Sequence, residues 1–153
     1  EGFIPLRTGE TGNLEIPRRI MDYRELIDAI VNVLRDSADV ATGGLAATAS
    51  MFSNGRYIHM RKRGDFEVLF SLDFVAWRQF GRSPIWLKFH YSGAGRGEEA
   101  AALLSKTNLY VDYGANPRAV VTPIMLAHSS DRQKVIQDSA QQIRVISRVL
   151  LDH

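Results

Sequence analysis

The nine residues FEVLFSLDF, Phe66 to Phe74, restrict this chain more than any other stretch. Phe66, Val68, Phe70, Leu72 and Phe74 alternate with Glu67, Leu69, Ser71 and Asp73, a period of two that belongs to an extended strand with one apolar face. That face must be covered, so the segment predicts a central ribbon in a half-covered sheet. Tyr57 to Arg63 reads as a preceding strand, joined through a hairpin turn at Arg63-Gly64-Asp65. After Pro84, Ile85, Leu87, Phe89 and Tyr91 alternate with Trp86, Lys88 and His90, giving a third strand. Short connections favour pairing between neighbours, hence an antiparallel meander.

Helical spacing flanks this core. Tyr23, Ile27, Ile30, Val31 and Leu34 share one face of a first helix, with Asp22 and Glu25 in the form of a capping box. The segment from Ala38 to Gly55 is small, polar and glycine-containing and reads as a loop, with a helical turn through Leu45 to Ser50. Glu98 to Lys106 is a short helix with acids in its first turn and a cation in its last, as the helix dipole prefers. Leu109 to Tyr113 and Ala119 to Leu126 read as strands. Ser130 and Gln133 form a second capping box, opening a long helix with a core stripe at Val135, Ser139, Ile143, Ile146 and Leu150. The expected architecture is therefore α+β: a mostly antiparallel five-stranded sheet in the order α-βββ-α-ββ-α, with helices mainly on one face. Residues 1–19, with Pro5, Pro17 and several glycines, read as a linker or N-terminal strap, and residues 20–153 as a single domain.

Composition removes whole classes of function. A chain of 153 residues supports one sizeable core. The absence of cysteine excludes disulfide scaffolds, thiolate catalysis and cysteine-ligated metal. No apolar run reaches membrane-spanning length and no signal-like segment opens the sequence, so a cytoplasmic setting without membrane contact is expected. The chain begins at Glu1, and the expectation is a domain of a larger bacterial protein. His59, His90, His128 and His153 are scattered, so no metal site and no cofactor are expected. No nucleophile elbow is present and no residue is assigned a catalytic role.

The net charge of +2 permits nucleic-acid binding without demanding it, since that depends on clustering. VAWRQFGRSPIWLKF, residues 75 to 89, holds both tryptophans and three cations. Val75 to Phe80 reads as a helical turn ended by Gly81, with Trp77 and Phe80 inward and Arg78 outward. Core packing is the plain reading of its aromatics. As anchors for a protein partner or for self-association, Trp77, Trp86 and Leu69 are the candidates. As a nucleic-acid surface, Arg78, Arg82 and Lys88 would flank the tryptophans and join Arg61 and Arg63 of the basic run 61–63. GAGRGEE, after a strand and before a helix, sits where phosphate is often held, but it lacks the Gly-Lys-Ser/Thr of a P-loop and carries Glu98 and Glu99.

The aromatic strand, the following tryptophan and glycine, Ser83-Pro84-Ile85-Trp86-Leu87 and the run VVTPIMLAHSSDRQKVIQDSAQQI together resemble C-terminal regions of uncharacterised bacterial proteins, some nuclease-associated. The likeness spans residues 56 to 153 and transfers no catalytic residue. The element order is similar to that of type III secretion chaperone-like and YbjN-like domains, which implies a dimeric binding module. A magnesium nuclease of the PD-(D/E)xK type would want an acid where Trp86 stands in Asp73…Trp86-Leu87-Lys88. The expectation is a non-catalytic binding or oligomerisation module. A nucleic-acid-binding accessory domain of a nuclease or defence protein is second, and an atypical metal-dependent nuclease third.

Overall fold

The computed structural model describes residues 16–35, 40–41, 55–60, 66–91, 93–107, 112–115 and 118–151. In chain order the elements are α1 (Ile16–Leu34), β1 (Val40–Ala41), β2 (Gly55–Met60), β3 (Phe66–Leu72), α2 (Phe74–Phe80), β4 (Ile85–His90), a 3-10 turn (Gly93–Gly95), α3 (Gly97–Leu104), β5 (Asp112–Ala115), β6 (Arg118–Pro123) and α4 (Arg132–Leu151). The strands form one sheet in the order β1-β2-β3-β4-β6-β5, every neighbour antiparallel. The class is α+β with an antiparallel sheet, and β3 lies inside it, paired on both sides.

The alternation of β3 sorts its side chains as a period of two requires. Phe66, Val68, Phe70 and Leu72 are buried, and they join Ile58, Met60, Ile85, Leu87 and Phe89 in one apolar layer. Onto that layer pack Tyr23, Leu26, Ile27, Ile30 and Leu34 of α1, Ala100 and Leu104 of α3, and Val135, Ile143, Ile146 and Leu150 of α4. Phe66 meets Phe89 edge-to-face, with ring centroids 6.2 Å apart. The guanidinium of Arg96 lies 4.4 Å from the Phe66 ring centroid, so the edge of the core is closed by a cation over an aromatic face. The stripe expected of α4 is buried throughout, Ser139 included.

Several element boundaries differ from expectation. The first helix begins at Ile16, so Asp22 lies inside it and residues 16–19 are not linker. Pro17 falls in the first turn, where the N–H it lacks has no intrahelical partner anyway, so proline does not bar a helix there. A sixth strand, β1, lies in the segment read as a loop: two residues suffice to pair Val40 with Met60 and Ala41 with His59, and so short a run leaves no periodic signal. Phe74 opens α2 instead of ending β3. Gly114 and Ala115, which lie outside both expected strands, pair with Ala119 and Arg118. β6 stops at Pro123, although Ile124 still donates its N–H to the Ile85 carbonyl at 3.0 Å. The cap of α4 is Asp131, whose Oδ1 accepts from the Gln133 N–H at 3.0 Å, and not Ser130. The turns expected at Leu45 to Ser50 and at Arg63-Gly64-Asp65 lie outside the described residues, as do Arg61 and Arg63. Among the described residues no helix is long and apolar enough to cross a membrane.

Candidate recognition face

The sheet's second face, opposite α1, α3 and α4, is partly roofed by α2, and Asp73 fixes that roof. Its backbone leaves β3 extended (φ −117°, ψ 97°) and its Oδ1 accepts the N–H of Ala76 at 3.0 Å, a side-chain cap on the first turn. Its own N–H donates to the Pro84 carbonyl at 3.0 Å, closing the elbow between β3 and β4. Its Oδ2 lies 3.1 Å from Lys88 Nζ. With 7% of its surface exposed, the carboxylate is thus compensated by a cap and a cation. Gly81 ends the helix at φ 71°, a left-handed conformation that costs glycine little, and Arg82 follows at φ 74°, where a side chain is strained.

Ser83 knots the far side of the elbow. Its Oγ donates to the Ile124 carbonyl at 2.6 Å and accepts from the Ile85 N–H at 3.2 Å, while its carbonyl accepts the indole N–H of Trp86 at 2.6 Å. Trp86 has no exposed surface; it forms a second small core with Ala76 and Val121, and Phe80 packs against it at 5.9 Å between ring centroids. Trp77 is half-buried and turned toward the main core, so Trp77 and Phe80 serve different clusters.

The expected site residues therefore separate by environment. Trp86 is sealed inside this chain and presents neither a docking anchor nor a stacking surface. The cause is α2, which closes over it. Leu69 is half-buried on the second face, flanked in register by Tyr57 on β2 and Lys88 on β4. Arg78 and Arg82 are exposed on and just after α2, with Val75 beside them 68% exposed. Lys88 is held by Asp73 rather than presented alongside those arginines.

Two residues along from the Tyr57–Leu69 pair, His59 of β2 stands opposite Glu67 of β3. His59 Nε2 is 3.7 Å from Glu67 Oε2, and its Nδ1 is buried without a hydrogen-bond partner. Burial, then the charge of Lys88, hold the His90 imidazole below its ordinary value, with Glu67 pulling the other way. The His59–Glu67 pair is not legible in the sequence because its members sit on two strands, although the alternation of Tyr57 and His59 with Ile58 and Met60 marks one half of it.

The glycine-rich turn after β4 has a packing origin. A Cβ on Gly95 would lie 2.5 Å from the His90 carbonyl oxygen, and one on Gly97 2.8 Å from that of Phe89. Arg96 between them pairs with Glu99 and covers Phe66. Among the described residues, no three His, Asp or Glu side chains are grouped to hold a metal ion.

No family model, curated protein or solved structure matches this chain. Its chemistry must be argued from the face itself. That face offers an aromatic, an aliphatic and a cationic side chain abreast on three adjacent strands. Both carboxylate oxygens of Asp73, the acid nearest to a nuclease arrangement, are engaged within the chain.

Proposed function

We propose that this chain is a non-catalytic binding module that docks a protein partner, a second copy of itself included, on the sheet face opposite its three packed helices. The observation that carries this reading is the line Tyr57, Leu69, Lys88 across β2, β3 and β4, half-buried beside the α2 roof. One face of the sheet is fully used by the core. The other mixes apolar and polar side chains as the contact surface of a folded partner does. Sedimentation velocity over a wide dilution series tests self-association: a dimer is expected that Leu69→Lys dissociates while the far-ultraviolet dichroism stays native. A wild-type monomer at every concentration would remove the second copy as partner, and an unaffected Leu69→Lys dimer would remove the face.

Nucleic-acid binding is a second reading, favoured by Arg78 in the last turn of α2 and Arg82 just beyond it both being exposed. It predicts a gel shift with short single-stranded DNA or RNA that weakens steeply with salt and with Arg78→Ala. The burial of Trp86 takes away one of the two tryptophans that this reading would stack on and leaves Trp77, half-buried.

A further inference from the structure

The elbow between β3 and β4 is pinned at its base and lightly held above it. Asp73 donates its N–H to the Pro84 carbonyl at 3.0 Å, and Ser83 is tied to Ile85, Ile124 and Trp86, so residues 74–82 leave and rejoin the sheet at fixed points. Within α2 only Ala76 is buried. Each of α1, α3 and α4 lends the main core large buried side chains, among them Leu26, Leu104 and Ile143, whereas Trp77 and Phe80 of α2 are half-buried. Segments with few buried contacts open before the rest of a fold does.

The joint at the far end of α2 is strained. Gly81 stands at φ 71°, ψ −140°, a combination that glycine alone takes readily. Ser83 then donates its N–H to the Gly81 carbonyl at 2.9 Å, a γ-turn about Arg82 at φ 74°, and the positive-φ form of that turn is rare and strained. The closed position of α2 is held against a backbone penalty that lifting the helix releases. Beneath it lie Trp86 and Val121. Val121 continues the row of Leu69 and Lys88, and Trp86 stands between Ser71 and Pro123 in the row beside it. We propose that α2 is a lid, hinged after Asp73 and at Gly81-Arg82, that opens while the sheet stays folded and uncovers Trp86 and Val121 beside the docking row. Asp73 stays with the base and keeps Lys88 at 3.1 Å, so opening gives up the cap on Ala76 and the contacts of Ala76, Trp77 and Phe80, not the ion pair. That the uncovered floor widens the contact surface rests on the docking reading; the opening itself does not.

Amide hydrogen exchange of the whole chain, read residue by residue by NMR, tests the lid. The N–H groups of Trp77 and Gly81, bonded to the carbonyls of Asp73 and Trp77, should share one opening. With intrinsic rates divided out, they should exchange at least about tenfold faster than the slowest amides of β3 and β4, and respond little to dilute urea. Gly81→Ala puts a methyl where nothing lies within 4 Å, so it acts on the backbone alone; it should speed this exchange about tenfold, and Arg82→Gly should slow it about threefold. A thiol introduced by Ala76→Cys, on the underside of the lid, should take a maleimide in the native protein far sooner than one introduced by Phe70→Cys. Exchange of α2 only together with the sheet, at the sheet's urea dependence, would overturn the proposal. So would two joint variants that leave the exchange unmoved, or equal protection of the two thiols. No partner enters these measurements, so their failure is distinct from that of the docking reading, which Leu69→Lys tests.

Discussion

Removing the Asp73 carboxylate should open the elbow that roofs the recognition face, and the cost can be worked from its contacts. Asp73→Ala deletes the cap on α2, where Oδ1 accepts from Ala76 N–H at 3.0 Å, a loss of about 1 kcal/mol. It also strands Lys88, whose side chain is 22% exposed and sits 3.1 Å from Oδ2. Orphaning a fully buried charge costs about 3–5 kcal/mol; partial exposure lets the ammonium find water, so about 1–2 kcal/mol applies here. The sum, about 2–3 kcal/mol, is a large share of the roughly 5–15 kcal/mol that a domain possesses. Asp73→Asn separates the two contributions, because asparagine caps as well as aspartate but carries no charge. It should cost only the ion-pair part, and almost nothing in a Lys88→Met background, since a partly buried pair can be exchanged for neutral groups at little cost. Urea unfolding followed by tryptophan fluorescence, with a constant slope, is the assay. Equal losses for Asp73→Ala and Asp73→Asn would refute the capping role. An Asp73→Ala loss below about 0.5 kcal/mol would refute the account of the elbow altogether.

Trp86→Ala should destabilise by about 3–5 kcal/mol, since it empties the small core under α2 and leaves the Ser83 carbonyl without its indole donor; thermal melts compared with Trp86→Phe would check it. Gly95→Ala should lower the melting temperature far more than Ala94→Gly, because the added methyl meets the His90 backbone while residue 94 is exposed. For His90, burial lowers the folded-state pKa below the ordinary 6.5, so the unfolded chain binds the proton more readily. Its contribution to stability is therefore full above about pH 6.5 and is lost as the pH falls through the lowered folded value. Urea midpoints measured on either side of that window should converge in His90→Asn.

What was legible in the sequence is what a single strand or helix face can record. The alternation from Phe66 to Leu72 and the stripe from Val135 to Leu150 announced buried faces, and both are buried. Gly81 announced the end of a short helix, and it ends there. Features that depend on two segments meeting were not legible. Core packing is the plain reading of Trp86 and it is buried, but its place opposite the strand's core residues does not reveal that α2 folds back over the second face to seal it. Asp73 and Lys88 stand together in the sequence only as parts of an incomplete nuclease pattern, and their ion pair, fifteen residues apart, depends on two segments meeting. The pair His59–Glu67 exists only once two strands are in register.

The chain contains no cysteine, so single cysteines can map the two faces of β3 directly. Leu69→Cys should react with a maleimide in the native protein, and more slowly at concentrations where the protein associates, whereas Phe70→Cys should react only once urea unfolds the chain. Equal protection of the two thiols in the native monomer would show both sides of the strand sealed by the same subunit and contradict a recognition face there.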